Sequence, residues 1–535
     1  MEWPYVVALI VVLAVSLGLV RRLDRPSGRW GRRVRSRLVL GIPWGTLVSV
    51  GLVLVVYLLV QDGRTNLYDP VRYPFQAWSY RYVTGWLFSG FAHSGYNHLV
   101  NNLTATLVLG SLAEFAFSHY PQRRGAISFG RWRDNPFVRA FAIFPLGVVG
   151  VGILTGLFSL GPVIGFSGVV FALAGFALVR FPLTTVLGVF AIQAVRRLFF
   201  ATRRPLVTSG IDAPPPSPPW WAEVAIQAHA LGLLIGIALG IYLLRRRDID
   251  LPAWRIWTAV FLFGVVQSLW AVYWFEGTDR FLLLQGVGVI LVVLLATLVA
   301  AVVASPDRPL GLGLTARQLA TGLLVMNLVL IAVPAVPVNL LAADTDVAEA
   351  HPGIEVADYR VIYGENVTNR MVAVVDLDLG GLQEVRTSGV IVVSEERDIW
   401  VTAVSRQRLR SDGRTSVTIG GVGWRETVTA EWDAWNVVGN DSVYQVWLEH
   451  GDERTHAFAS EARRSRPVVA NHSVTLLIED ATFHAAIERD GERLETVPVP
   501  AVNESVTVGA IELHNEDGEL VVHHDGTSVT VASRD

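Results

Sequence analysis

The sequence predicts a polytopic α-helical membrane protein that ends in an all-β domain, and three observations predict it. Of its 535 residues, 52% are hydrophobic and 17% charged, with a mean hydropathy of +0.42, whereas soluble proteins carry about 25% charged residues. Apolar runs recur through the first 342 positions at lengths that suit a bilayer, roughly 20 residues each. The formal charge of −3 conceals a division. Residues 1–342 hold 28 Arg against 13 Asp and Glu, and residues 343–535 hold 16 Arg against 34. A basic, apolar part is joined to an acidic, polar one.

The apolar runs fall at 3–20, 38–60, 96–118, 137–160, 165–180, 182–200, 222–244, 251–274, 281–304 and 319–341, which makes about ten spans. The first is followed by Arg21-Arg22 and has no basic stretch before it, the flank pattern of a retained anchor. Eight Arg between positions 21 and 37, five between 123 and 139, and the triplet Arg245-Arg246-Arg247 fall on one side if the N-terminus is outside. Arg203 and Arg204 are the exception, in a loop of 201–221 that Pro205 and the run from Pro214 mark as irregular. Ten spans place residues 343–535 outside as well, in a protein of the cell membrane. Four Asn-X-Ser/Thr sites there, at Asn366, Asn440, Asn471 and Asn503, agree mildly. Alternating runs such as Ser416–Ile419 and Ser473–Ile478, with Asp-Gly turns between them, read as strands of one or two sandwich-like domains.

Cysteine is absent and all 44 basic residues are Arg, which removes thiolate and lysine chemistry. The missing Lys reads as a bias of GC-rich coding. Titratable residues inside the spans from 96 to 244, apart from those at the ends, are few: His98, Glu114 and His229. Such residues are costly in a bilayer and so become candidates for function. His119, in a loop beside Pro121, reads as solvated.

Three segments carry the chemistry. In Phe91-Ala-His93-Ser-Gly-Tyr-Asn-His98-Leu-Val-Asn-Asn102, His98 and Asn102 are four apart and share a helix face. In Gly161-Pro-Val-Ile-Gly165-Phe-Ser167-Gly168, proline and glycine break the chain just before an apolar run. Ser167 then falls in a first helical turn, where backbone N–H groups lack acceptors. The third segment repeats small residues every four positions at Ala228, Gly232, Gly236 and Gly240, beside His229. That strip suits the small face of Gly168, Ala172 and Gly175. If the strips pack, a hydroxyl and an imidazole meet, with His98, Asn102 and the Ser167 N–H near an oxyanion. Each element alone has a bland reading as packing or a structural histidine. Their combination and order are far more specific.

On these residues the sequence resembles the rhomboid family of intramembrane serine proteases, over about residues 75–245. The resemblance implies a rhomboid-like six-helix core within the ten spans, and an extracytoplasmic all-β tail lies beyond what it covers. It implies Ser167 as nucleophile and His229 as base, with an oxyanion hole of His98, Asn102 and the Ser167 N–H. His93, Gly165, Gly168, Phe171, Gly232 and Gly236 would shape the site, and Glu114 would brace helices. Two departures stand out: Tyr80-Arg81 where the family has Trp-Arg, and Phe171 where Tyr is common. The expected division is an N-terminal anchor and basic loop at 1–37, a protease core at 38–247, three further helices at 248–342 and the acidic tail at 343–535. Expected partners are single-span membrane substrates and the bilayer, with no nucleic acid, no cofactor and no metal, and with the tail's partner open. His523-His524-Asp525 offers metal-binding side chains but reads as exposed surface. The competing readings are a catalytically silent relative that binds membrane helices, and a transporter, for which the supply of carboxylates is thin.

Overall fold

The computed structural model describes residues 3–24, 28–121, 127–201, 224–275, 281–306, 309–310, 313–340, 350–368 and 386–534. The loop expected at 201–221 lies outside these, apart from Ala201, as do Arg123 and Arg124. The chain divides into two compact units. One comprises Met1–Pro214, Pro218–Ala342 and Gly420–Arg425, and the other comprises Pro215–Ser217, Ala343–Ile419 and Glu426–Asp535.

Helix occupies every one of the ten apolar runs: α1 (Trp3–Asp24), α2 (Trp44–Val60), α3 (Tyr96–Phe117), α4 (Pro136–Leu157), α5 (Ser167–Arg180), α6 (Pro182–Ala201), α7 (Ile226–Arg246), α8 (Ala253–Val266), α9 (Gln285–Ala304) and α10 (Ala316–Leu340). Among the described residues, α3, α4, α7, α9 and α10 are long and apolar enough to cross a membrane. The helices α2, α5 and α8 are apolar but shorter. The 14 residues of α5 reach only about 21 Å, less than the hydrocarbon thickness of about 30 Å. The run at 251–274 ends as helix at Val266, and its last residues enter a short hairpin of Tyr273–Phe275 with Phe281–Leu283. At the other end of the core, Leu40 and Gly41 adopt positive φ and Pro43 precedes Trp44, so α2 starts well inside the run at 38–60. The helices α2, α3 and α4 each contain one π-helical turn, at Val56–Val60, Thr106–Gly110 and Arg139–Ile143.

The core of this unit forms around α5, most of whose residues are buried. Against it lies α7, and the small strips of both helices explain how closely. A Cβ at Gly232 would land on the carbonyl of Gly168, and one at Gly236 on the carbonyl of Ala172. Reciprocally, a Cβ at Gly175 would land on the carbonyl of Leu233. Backbones in contact gain dispersion over their whole length, which is the main attraction available between helices in lipid.

A second polar device holds α2 to α3. The Glu114 carboxylate, fully buried, accepts from the N–H groups of Gly45 and Thr46 and from the Thr46 hydroxyl, each at 2.7 Å. These are first-turn donors of α2, with no acceptor in their own helix. His119 supplies a further bond to the same carboxylate through Nε2, while its Nδ1 accepts from the Val39 N–H at 2.9 Å. That pairing places the ring proton on Nε2. His119 is thus buried, not solvated: its backbone N–H bonds the Arg37 carbonyl and its ring replaces water as a partner for Glu114. Arg247 and Arg139 donate to the carbonyls that end α3, from Ala116 to Ser118. Glu114→Ala is expected to destabilise this unit by about 3–5 kcal/mol, because buried donors lose their acceptor. Thermal unfolding in detergent measures the loss.

Among the described residues, the second unit is all-β apart from a short helix at Arg406–Asp412. One antiparallel sheet joins Gly353–Val356, Tyr359–Thr368, Arg386–Ser394 and Ile399–Ser405. Another joins Arg463–Val469, His472–Glu479, Thr482–Arg489 and Glu492–Pro498. An eight-stranded sheet places the last strand, Thr527–Arg534, between Trp424–Val437 and Glu519–His524. The last two sheets share a core of Trp435, Leu476, Phe483, Ile487, Leu513 and Val522, a sandwich. Its hairpins turn on Asp490-Gly491, Asp517-Gly518 and Asp525-Gly526, all at positive φ, as tight two-residue turns require.

Candidate active site

Ser167 is the first residue of α5, and the chain leading to it is tethered at several points. Ala77 and Val163 exchange backbone hydrogen bonds at 2.9 and 3.1 Å, and the Gly165 N–H donates to the Ser89 carbonyl at 2.8 Å. Gly165 sits at φ +137°, and a Cβ there would lie 2.6 Å from the His98 ring. Only glycine satisfies both demands. No side chain caps the N-terminus of α5, so the Ser167 N–H has no acceptor within the helix.

His229 lies in the first turn of α7, beside the strip of Gly232 and Gly236, and the close packing of α5 on α7 brings the two side chains together. His229 Nε2 is 2.7 Å from Ser167 Oγ. One turn beyond the serine, the Phe171 ring stacks on the imidazole at 4.3 Å between centroids and 8° between planes. Phe263 of α8 meets Phe171 edge-on at 5.6 Å, so a helix beyond the core supports the ring that supports the base. Among the described residues no carboxylate bonds His229, and ring stacking holds its orientation instead. Serine and histidine are both partly exposed, so a small molecule can reach them.

His98 and Asn102 approach from α3. The His98 ring lies against Gly165, and Asn102 Nδ2, buried, has no hydrogen-bond partner among the described residues. A buried amide donor without an acceptor carries a desolvation cost of about 1–3 kcal/mol, which an anionic oxygen in the adjacent space would offset. Ser94 Oγ is 3.0 Å from His98 Nδ1. With this hydroxyl donating, the ring proton sits on Nε2, the atom nearer Gly165. His93 is buried with its ring edge-on to His98 at 5.0 Å. Its backbone is clamped by Gln61, whose amide accepts from the His93 N–H and donates to the His93 carbonyl, both at 2.8 Å.

The structure therefore gathers Ser167, His229, His98, Asn102, Gly165 and Phe171 at one place, with Gly168, Gly232 and Gly236 setting the helix contact. His93 lies behind His98, and Glu114 belongs to the separate network described above. Tyr80 donates its hydroxyl to the Leu157 carbonyl at 2.7 Å, tying the chain before α3 to the end of α4. Ser94, Ser89, Gln61 and Phe263 are not among the residues the sequence singles out. Gln61, a polar residue closing an apolar run, has a visible signal, and Ser94 stands four residues before His98 on the same turn. A shallow recess lined by Ser89, Gly90, Thr155, Gly156, Val163, Gly165, Gly168 and Ala228 lies next to the residues that flank the pair.

Fold and site together define a multi-pass α-helical membrane protein with a serine–histidine pair at the head of two closely packed helices. Residues 77–246 match the family model described as Rhomboid domain, so the chain carries a rhomboid domain. No curated protein and no solved structure matches the chain. The domain takes in every residue of the pair and of its surroundings except Gln61 and Phe263.

Proposed function

We propose that the protein is an intramembrane serine endopeptidase that cuts single-span membrane proteins near the outer face of a cell membrane. The 2.7 Å contact between Ser167 Oγ and His229 Nε2 carries this reading. Ser167 attacks the scissile carbonyl as His229 takes its proton, and the Ser167 N–H, His98 and Asn102 receive the oxyanion. His229 returns the proton to the leaving amine, and water then hydrolyses the acyl-enzyme with His229 again as base. A substrate helix hides its carbonyls in its own hydrogen bonds, so it must open locally before attack, and weak helix formers there lower the cost. The recess is shallow and lined mostly by small residues, with Thr155 and Val163, which favours a small side chain over a large one. In this reading both termini lie outside, by the Arg distribution.

The test is cleavage of a single-span substrate in liposomes by wild type and by Ser167→Ala. The proposal expects cleavage by wild type only, faster with Ala than with Trp at the position before the cut. Equal cleavage by both proteins contradicts it.

Ser94 gives a finer expectation. Ser94→Ala frees the His98 ring to turn or to change tautomer, removing one hydrogen bond worth about 1 kcal/mol. A fall in kcat of about fivefold with KM held, measured on the same substrate, is expected. A KM effect alone would assign Ser94 to binding.

A further inference from the structure

We propose that the acidic β unit holds a divalent transition-metal ion between His514, Glu516 and His523. The three residues lie on adjacent antiparallel strands, Ile511–Glu516 and Glu519–His524, whose register pairs His514 with Val521 and Glu512 with His523. Alternation along the strands puts all three on one face, while Ile511, Leu513 and Leu520 fill the core on the other. His523 Nε2 lies 2.9 Å from Glu516 Oε1, and His514 Nδ1 lies 3.4 Å from the same oxygen. Every pair of the three donor atoms falls within 4.8 Å. An ion with bonds of about 2.0–2.2 Å sets its ligand atoms roughly 3–3.5 Å apart, so the two separations from the Glu516 oxygen are those of a shared coordination sphere.

A second observation orients the site. The Ser528 hydroxyl bonds His523 Nδ1 at 2.8 Å, on the side of the ring away from Glu516. A hydrogen-bonding group on the far nitrogen is what fixes a metal-binding imidazole. Glu512 and Glu519 lie on the same strand face and favour a cation over an anion. Two imidazoles and one carboxylate select a borderline ion such as Zn²⁺ over Ca²⁺ or Mg²⁺, which prefer all-oxygen sites. The ligands are about one-third to one-half exposed, which leaves the remaining positions to water. The ion would act as a staple across the hairpin that Asp517-Gly518 closes. Its binding is independent of the protease chemistry.

Full-length protein, purified without a histidine tag, is titrated with Zn²⁺ in calorimetry, alongside a His514→Ala/His523→Ala double variant and Ser528→Ala. Wild type is expected to take up one more equivalent than the double variant, with release of protons, and excess Ca²⁺ or Mg²⁺ is expected not to displace it. Ser528→Ala is expected to weaken binding by about 10–100-fold. Equal uptake by wild type and double variant overturns the proposal. Should the double variant fail to fold, Co²⁺ added to wild type decides: visible d–d bands that Zn²⁺ abolishes support the site, and their absence overturns it.

Discussion

Alanine at Ser167 or at His229 is expected to lower kcat/KM for a single-span substrate by on the order of 10⁴-fold, and the double variant to fall no further. In the proposed mechanism the two side chains form one device: Oγ would be a nucleophile only while Nε2 can take its proton, and the 2.7 Å contact would be the path for that transfer. Losing either leaves the same remnant of activity, from binding and the oxyanion donors. Independent, multiplying losses in the two single variants would mean that the residues act separately and that another base serves Ser167.

The second large effect needs no change to any reacting group. Gly236→Val is expected to abolish cleavage and to destabilise the helical unit by about 3 kcal/mol or more, the upper end of the range for overpacking. The added Cβ alone would land on the backbone carbonyl of Ala172, which no rotamer change relieves. The helices α5 and α7 must then separate. Since Ser167 heads one and His229 the other, the separation breaks their hydrogen bond while leaving both residues in the chain. The measurements are thermal unfolding in detergent and cleavage in liposomes. Gly18, which has nothing within 4 Å of a Cβ, is the matched control, and Gly18→Val is expected to leave both unchanged.

How much of this is legible in the sequence follows from which contacts have a sequence signature. Small residues every four positions announce close helix packing. The meeting of Gly232 and Gly236 with Gly168 and Ala172 is therefore readable from the residue pattern itself, and with it the approach of His229 to Ser167. His98 and Asn102 are legible from their shared helix face. Contacts that end on backbone carbonyls have no such signature. The bond from Gly165 to Ser89 and the bridge of Ala77 with Val163 each join segments far apart in the chain through backbone groups, and Gln61, visible as a polar residue, clamps backbone groups of His93 that carry no sign of it. His119 misleads for a related reason: a polar residue beside proline and arginine looks solvated unless its buried partner, Glu114, is known to end in the same place.

The β unit divides the same way. Strand alternation and Asp-Gly turns are local and readable. The insertion of Thr527–Arg534 beside Trp424–Val437 pairs residues about a hundred positions apart, and no local pattern encodes it. Nor does sequence alone separate His514 and Glu516 from the other exposed polar residues, because their relation to His523 depends on strand register. The pair His523-His524 stands out for its adjacency, yet alternation sends the two rings to opposite faces, and only His523 reaches Glu516.

The most direct test of the central claim is covalent. A fluorophosphonate that forms an ester with an activated serine, applied to the full-length protein in detergent and followed by peptide mass spectrometry, is expected to modify Ser167 in the wild type and to leave it unmodified in His229→Ala. Absence of the adduct from the wild type, or its equal formation in both proteins, would contradict a serine activated by this histidine.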